Sequence, residues 1–306
     1  MQTTIYCPDI TCGSCTKVIK RSLEKYPHVE SIAFGKDSIT VVHAQELPSE
    51  DLLRTIHERG FRADFEPFTR KTFRERFRDF RENKEKYSVE YSMIQYSIIT
   101  FFLLMAIEAV TYLALYRSQP GFLERYGIWA LYLNLAIVSI GAAIWHFKSY
   151  RGEVSTMVGM MIGMTFGMQS GFLIGVIFGA TNGMFTGTMI AMLSATLIGW
   201  YNGKCCGIMG ILEGMMAGTM GGIMGAMTGV MLFADHILLF MPFFMIITLF
   251  VVWGLSYMLY EEFVEDNPKV KVQPTAFTTF FSYCFLAAVI FFTIMIYGPT
   301  SGLAVG

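Results

Sequence analysis

The sequence predicts two parts. A small α+β domain of element order βαββαβ comes first, and a polytopic α-helical membrane domain of about seven spans follows it. Three observations carry this expectation. Charge is segregated, with most of it in residues 1–90 and 261–272. Apolar runs of roughly 18 residues or more fill the remainder, long enough to cross a bilayer as helices. The first 67 residues instead alternate short apolar runs with amphipathic helical patterns. Hydrophobic residues make up 54% of the chain, which suits a membrane protein. The net charge of −1 is uninformative because the charges are segregated, and no nucleic acid is expected as a partner. The first ten residues are too polar for a cleavable secretory signal, so residues 1–67 read as a separate soluble domain.

Within that domain Thr3–Cys7 reads as a strand and Cys12–Tyr26 as a helix with Val18, Ile19 and Leu23 inward. Val29–Phe34 and Ser38–His43 alternate as two strands around a Gly35-Lys36-Asp37 turn. Pro48-Ser49 opens a second helix with Leu52, Leu53 and Ile56 inward, and Gly60 ends it. Phe61–Phe65 returns as a last strand. This order in so short a chain is that of a ferredoxin-like sandwich. His28 and His43 are expected at the surface.

The chain has six cysteines: Cys7, Cys12, Cys15, Cys205, Cys206 and Cys284. Two close groups and singletons do not suit a disulfide scaffold, and metal or redox chemistry fits better. Cys12 and Cys15 lie three residues apart where a loop enters a helix N-terminus. The positive end of the helix favours thiolates there, and two thiolates at that spacing can clasp a soft ion such as Cu(I). A thioredoxin-type redox pair is the alternative. The domain is too short for that fold, and no aromatic residue precedes Cys12. Cys7 is either a third ligand or a buried apolar cysteine.

The segments Asp9-Ile10-Thr11-Cys12-Gly13-Ser14-Cys15, Tyr26-Pro27-His28-Val29-Glu30-Ser31-Ile32 and Arg59-Gly60-Phe61 give the domain a resemblance to a known family. It resembles the heavy-metal-associated domain of copper chaperones and of the N-terminal arms of copper-transporting ATPases. The resemblance implies a heavy-metal site at Cys12 and Cys15, and a copper chaperone as a partner. Two residues depart from the pattern: Asp9-Ile10 stands where the family has Gly-Met, and Cys7 sits at a strand position that is usually apolar.

Residues 68–88 form a basic linker. Arg70, Lys71, Arg74, Arg76, Arg78, Arg81, Lys84 and Lys86 alternate with acids, and Phe73, Phe77 and Phe80 form one helical stripe. Such a helix lies on a membrane surface or continues as a solvated stalk. Residues 89–306 hold the expected spans: Val89–Leu115, Ile128–Phe147, Ser155–Ala180, Met184–Tyr201, Gly207–Ala234, Ile237–Tyr260 and Thr275–Tyr297. Lys148, Arg151, Lys204, Lys269 and Lys271 fall in loops on the linker's side, and only Arg117 and Arg125 on the other. That bias predicts a cytoplasmic N-terminal domain and an outside C-terminus, and the plasma membrane is the expected location. The turns around the fourth span are short, so a re-entrant element there is the alternative to a full crossing.

The membrane domain centres on residues 155–231, which hold 15 of the 22 methionines and 18 of the 29 glycines. Glycine recurs every fourth residue from Gly159 to Gly187, a spacing that lets membrane helices approach to backbone contact. On a helical wheel Cys205, Met209, Glu213, Met216, Met220, Met224, Met227, Met231 and Asp235 fall within an arc of about 120°. Gly207, Gly210, Gly214, Gly218, Gly221, Gly225 and Gly229 fall opposite. The glycine faces are expected to pack within one chain or to join copies into a homo-oligomer. The methionine stripe is either gap-filling packing or a row of weak soft-metal sites.

Cys205-Cys206 are vicinal thiols at the mouth of the fifth span, on the predicted side of Cys12 and Cys15. They could receive an ion from that pair by ligand exchange. Glu213, and Glu108 in the first span, are intramembrane carboxylates, costly residues that mark a pathway or pair with a neighbouring helix. Asp235-His236 could form an exit site, and Cys284 reads as core. The chain carries no phosphate loop, phosphorylation motif or hydrolytic constellation, so it is not read as an enzyme and needs no organic cofactor. The expected function is transport or export of Cu(I), with Ag(I) or Hg(II) as alternative cargo. Thioether ligands argue against Zn(II). A copper-binding membrane sensor or scaffold, working without flux, is the second reading.

Overall fold

The computed structural model describes residues 2–7, 10, 13–26, 29–35, 37–44, 48–57, 59, 61, 63–67, 78, 81, 87–117, 121–151, 156–260, 271–272 and 276–300. The chain divides into two compact units, Met1–Asn83 and Lys84–Gly306.

In the first unit β1 (Gln2–Tyr6), α1 (Gly13–Leu23), β2 (Val29–Phe34), β3 (Ser38–His43) and α2 (Ser49–His57) follow in order. The three strands form an antiparallel sheet of order β1-β3-β2. Ile39, Val41 and His43 of β3 share the buried face, and Ile19, Leu23, Leu52 and Ile56 of the helices close the core over it. The expected last strand is reduced to one bridge among the described residues. Asp64 exchanges backbone hydrogen bonds with Tyr6, of 2.7 and 3.0 Å. The His57 ring takes up the neighbouring backbone: its Nε2 lies 2.8 Å from the Ala63 carbonyl oxygen and 3.3 Å from the Ala63 nitrogen.

Two expectations change. His43 is buried, because the alternation of β3 turns it inward, and its ring nitrogens meet the Thr3 hydroxyl and the Ala44 carbonyl at 2.8 and 2.9 Å. Buried polar groups are held in this way. Val18 is exposed, and Ser22 takes a buried place on α1 by donating to the Val18 carbonyl at 2.9 Å. His28 lies outside the described residues. So does the basic segment 68–88, apart from residues 78, 81, 87 and 88.

The second unit contains α3 (Ser88–Thr111, extended by a π turn to Tyr116), α4 (Phe122–Ser149), α5 (Thr156–Asn182), α6 (Met184–Gly203), α7 (Gly207–Met231), α8 (Ile237–Tyr260) and α9 (Phe277–Tyr297). Among the described residues these are seven helices long and apolar enough to cross a membrane. They fit an integral membrane protein. α6 has 20 residues, about 30 Å at the helical rise, so its length suffices for a full crossing. A two-stranded ladder pairs β4 (Tyr150–Arg151) with β5 (Lys271–Val272).

α5, α6 and α7 meet backbone to backbone. A Cβ added at Gly171 would lie 2.5 Å from the Gly222 nitrogen, and one at Gly225 would lie 2.6 Å from the Phe172 oxygen, so α5 and α7 touch. One added at Gly218 would lie 2.6 Å from Ala195, and one at Gly222 2.5 Å from the Met192 nitrogen, so α6 and α7 touch as well. The glycine faces are therefore occupied within one chain and are not left over for joining copies. In the bilayer such contact gains dispersion that larger residues would forbid.

Candidate metal centre

In the N-terminal unit Cys15 sits in the first turn of α1, half-buried. α1 carries no acid in that turn and ends in Lys20 and Arg21, so its N-terminal end keeps its positive character for a thiolate. Cys12, the other half of the pair, lies outside the described residues. Cys7 is wholly buried in the core with Ile5, Ile19 and Leu23. That placement favours the apolar reading of Cys7 over that of a third ligand.

In the membrane unit α6 ends in a single 3-10 turn, Lys204–Cys206, before α7 begins. Gly207 takes φ 68°, a left-handed conformation that glycine adopts without a Cβ penalty. It turns the chain sharply into α7. Cys205 is exposed, and its thiol donates to the Asn202 carbonyl at 3.5 Å. The side chain of Cys206 lies outside the described residues. Lys204 sits 3.8 Å over the Trp200 ring, and Lys148 at the end of α4 sits 4.0 Å over Tyr201. Cation–aromatic pairs of this kind suit a membrane–water interface. They put the vicinal thiols at the same end of the unit as the end of α4.

α7 divides into two faces as the wheel divides it, except that Gly207, expected on the glycine face, is exposed at the turn into the helix. Gly210, Gly214, Gly218, Gly221, Gly225 and Gly229 are buried. Met209, Met216, Met220, Met224, Met227 and Met231 are all exposed, from 46% at Met227 to 64% at Met231. The thioethers thus point away from the core of this unit, and among the described residues nothing wraps them into a channel. Glu213 is half-buried on the same face, on the second turn. On α5, Met161 and Met164 are exposed, while Met160 and Met168 are half-buried. Asp235 and His236 are both exposed beyond α7, and Cys284 is buried. Among the described residues no three His, Cys, Asp or Glu side chains converge as a metal-binding group.

The structure also shows a polar cluster that sequence reasoning missed. The Tyr150 hydroxyl donates to Glu90 Oε1, and His146 Nε2 lies 3.4 Å from the same oxygen. Beside it the Tyr87 and Tyr260 hydroxyls share a 2.7 Å hydrogen bond. Burial first, and then the Glu90 charge, push the Tyr150 phenol well above its ordinary range. The cluster ties α3, α4 and α8 together at the end that holds Lys148. The one local signal was polar residues near the ends of apolar runs.

Residues 4–62 match the family model of the heavy-metal-associated domain. The N-terminal domain is thus a heavy-metal-associated domain, and it precedes a helical membrane region. No curated protein and no solved structure matches the chain.

Proposed function

We propose that the protein transports Cu(I), most simply as an exporter in the plasma membrane with its N-terminal domain in the cytoplasm. Cys12 and Cys15 would capture the ion and Cys205-Cys206 would accept it by thiolate exchange. Met209, Met216, Met220, Met224, Met227 and Met231, with Glu213, would carry it along α7. One observation supports this most: a heavy-metal-associated domain shares its chain with a membrane helix that aligns a thiol and six thioethers on one face. Thioethers select soft ions and hold one less tightly than thiolates, as transit requires. Ag(I) fits the same ligands, and Hg(II) fits the thiols.

The thioether face is open in one chain, so the path needs a second wall. A second copy facing the first across α7 would supply it with the same ligands. The reading has no enzymatic step. Its test is Cu(I) flux into proteoliposomes under anaerobic, reducing conditions, comparing wild type with the C205S/C206S double variant. Flux that the double variant abolishes is expected. Absent wild-type flux, with tight Cu(I) binding at the N-terminal domain, would overturn transport in favour of a metal sensor.

A further inference from the structure

A cavity of about 520 Å³ lies where the C-terminal ends of α3 and α9 meet the N-terminal end of α4, the end opposite Lys148 and Lys204. That volume is within the range of small-molecule sites. Its lining is apolar apart from a few groups, and one of these is Glu108. The Glu108 carboxyl is buried, and the neutral Asn134 side chain is the one polar group that reaches it among the described residues, with no counter-charge beside it. Asn134 stands beside that carboxyl, wholly buried, with its Oδ1 also without a partner and its amide donating to the Met105 sulfur at 3.5 Å.

The wall is aromatic. The Phe122 ring stacks on Tyr116 at 4.5 Å and on Tyr112 at 6.0 Å, and lies tilted against Tyr126 at 5.2 Å. The Tyr116 and Tyr297 hydroxyls, 2.9 Å apart, join α3 to α9 at the rim.

We propose that this cavity binds a lipophilic organic cation. A carboxylate without a counter-charge is costly at this depth. A lipid acyl chain would fill the volume and leave the carboxylate without a counter-charge. A small metal ion would satisfy the oxygens and leave the aromatic wall unused. An organic cation with an apolar body uses both, because ring faces attract positive charge and Glu108 supplies the counter-ion. The carboxylate sets the sign of the charge, and the rings set the apolar bulk. The site stands apart from the thioether face of α7, so it does not depend on the Cu(I) reading.

The probe is tetraphenylphosphonium, titrated by calorimetry into the purified full-length protein in neutral detergent. Its anionic counterpart of matching shape, tetraphenylborate, is titrated in parallel. Saturable binding of one phosphonium per chain is expected, at least tenfold tighter than the borate. E108Q should weaken phosphonium binding at least tenfold and leave the borate unchanged or bound more tightly. F122L, which keeps the carboxyl and removes the central ring, should weaken the phosphonium severalfold. Equal binding of the two ions, absence of saturable phosphonium binding, or an E108Q variant that binds as wild type would each overturn the proposal. Should E108Q fail to fold, the wild-type preference between the two ions and the F122L result decide it.

Discussion

Adding one methyl group to α7 at Gly218 tests the packing of the membrane core. A Cβ there would stand 2.6 Å from three backbone atoms, the carbon and oxygen of Ala195 and the nitrogen of Thr196. No flexible side chain can yield, so the helices must separate. Reaching ordinary contact needs a shift of about 0.8 Å, and a gap of that size forfeits roughly a quarter to a half of the dispersion along the seam. Overpacking of this kind costs about 1–3 kcal/mol, while replacing glycine by alanine in a helix returns up to about 1 kcal/mol. With the full ~1 kcal/mol returned, the net expectation for Gly218→Ala is a loss of up to about 2 kcal/mol. Gly254 on α8 supplies the contrast, because a Cβ there meets nothing within 4 Å. Gly254→Ala keeps only the propensity gain and should be neutral or slightly stabilising. Thermal unfolding of both variants in detergent, followed by circular dichroism, measures the difference. If Gly218→Ala melts with or above Gly254→Ala, the backbone contact between α6 and α7 is not what holds the core together.

Three further outcomes are expected. Tyr150→Phe removes a hydrogen bond from the buried Glu90 carboxylate and should cost about 1–3 kcal/mol of membrane-domain stability; an unchanged thermal midpoint would show the cluster to be slack. His57→Ala frees the Ala63 backbone and should speed amide hydrogen exchange at Ala63 and Asp64 severalfold, with Cu(I) binding by the domain unchanged; slow exchange in the variant would mean that the ring holds nothing there. In a cysteine-free background, Met220→Cys should cross-link between copies in the bilayer and Leu249→Cys, exposed on α8, should not; equal yields would remove the second copy from the transport path.

The division of α7 into a glycine face and a thioether face could be read from the sequence, because both residue types recur at helical spacing from Cys205 to Asp235. That the glycine face packs was in the pattern too, but whether it packs within one chain or against another copy was not. Gly214 and Gly222 tell only that something comes close. That the something is α6 of the same chain depends on the short turn Lys204–Cys206 and the left-handed Gly207, which fold α7 back at once. Three-dimensional context also decided His43. A histidine ending a strand reads as exposed until Thr3, 40 residues away, is seen to offer its hydroxyl. The Glu90–His146–Tyr150 cluster left only a faint trace in the sequence, polar residues near the ends of apolar runs. Its members are 56 and 60 residues apart and meet only because α3 and α4 pack as neighbours.

The outward thioether face reshapes the transport argument rather than weakening it. A path buried within one chain would have to separate helices whose backbones are in contact, and the glycines of α5, α6 and α7 make that costly. A path on the open face asks for no such separation. It leaves the glycine-packed core as a rigid strut that fixes the spacing of successive sulfurs along α7. Thioethers three or four residues apart on a helix are about 5–6 Å from one another at Cβ, close enough for a flexible Met side chain to hand an ion to the next. Glu213 lies between Met209 and Met216 on that row and would offset the positive charge of an ion entering from Cys205. A bare carboxylate facing lipid would be costly. The same residue that would ease entry is thus the strongest reason to expect that lipid alone does not cover this face.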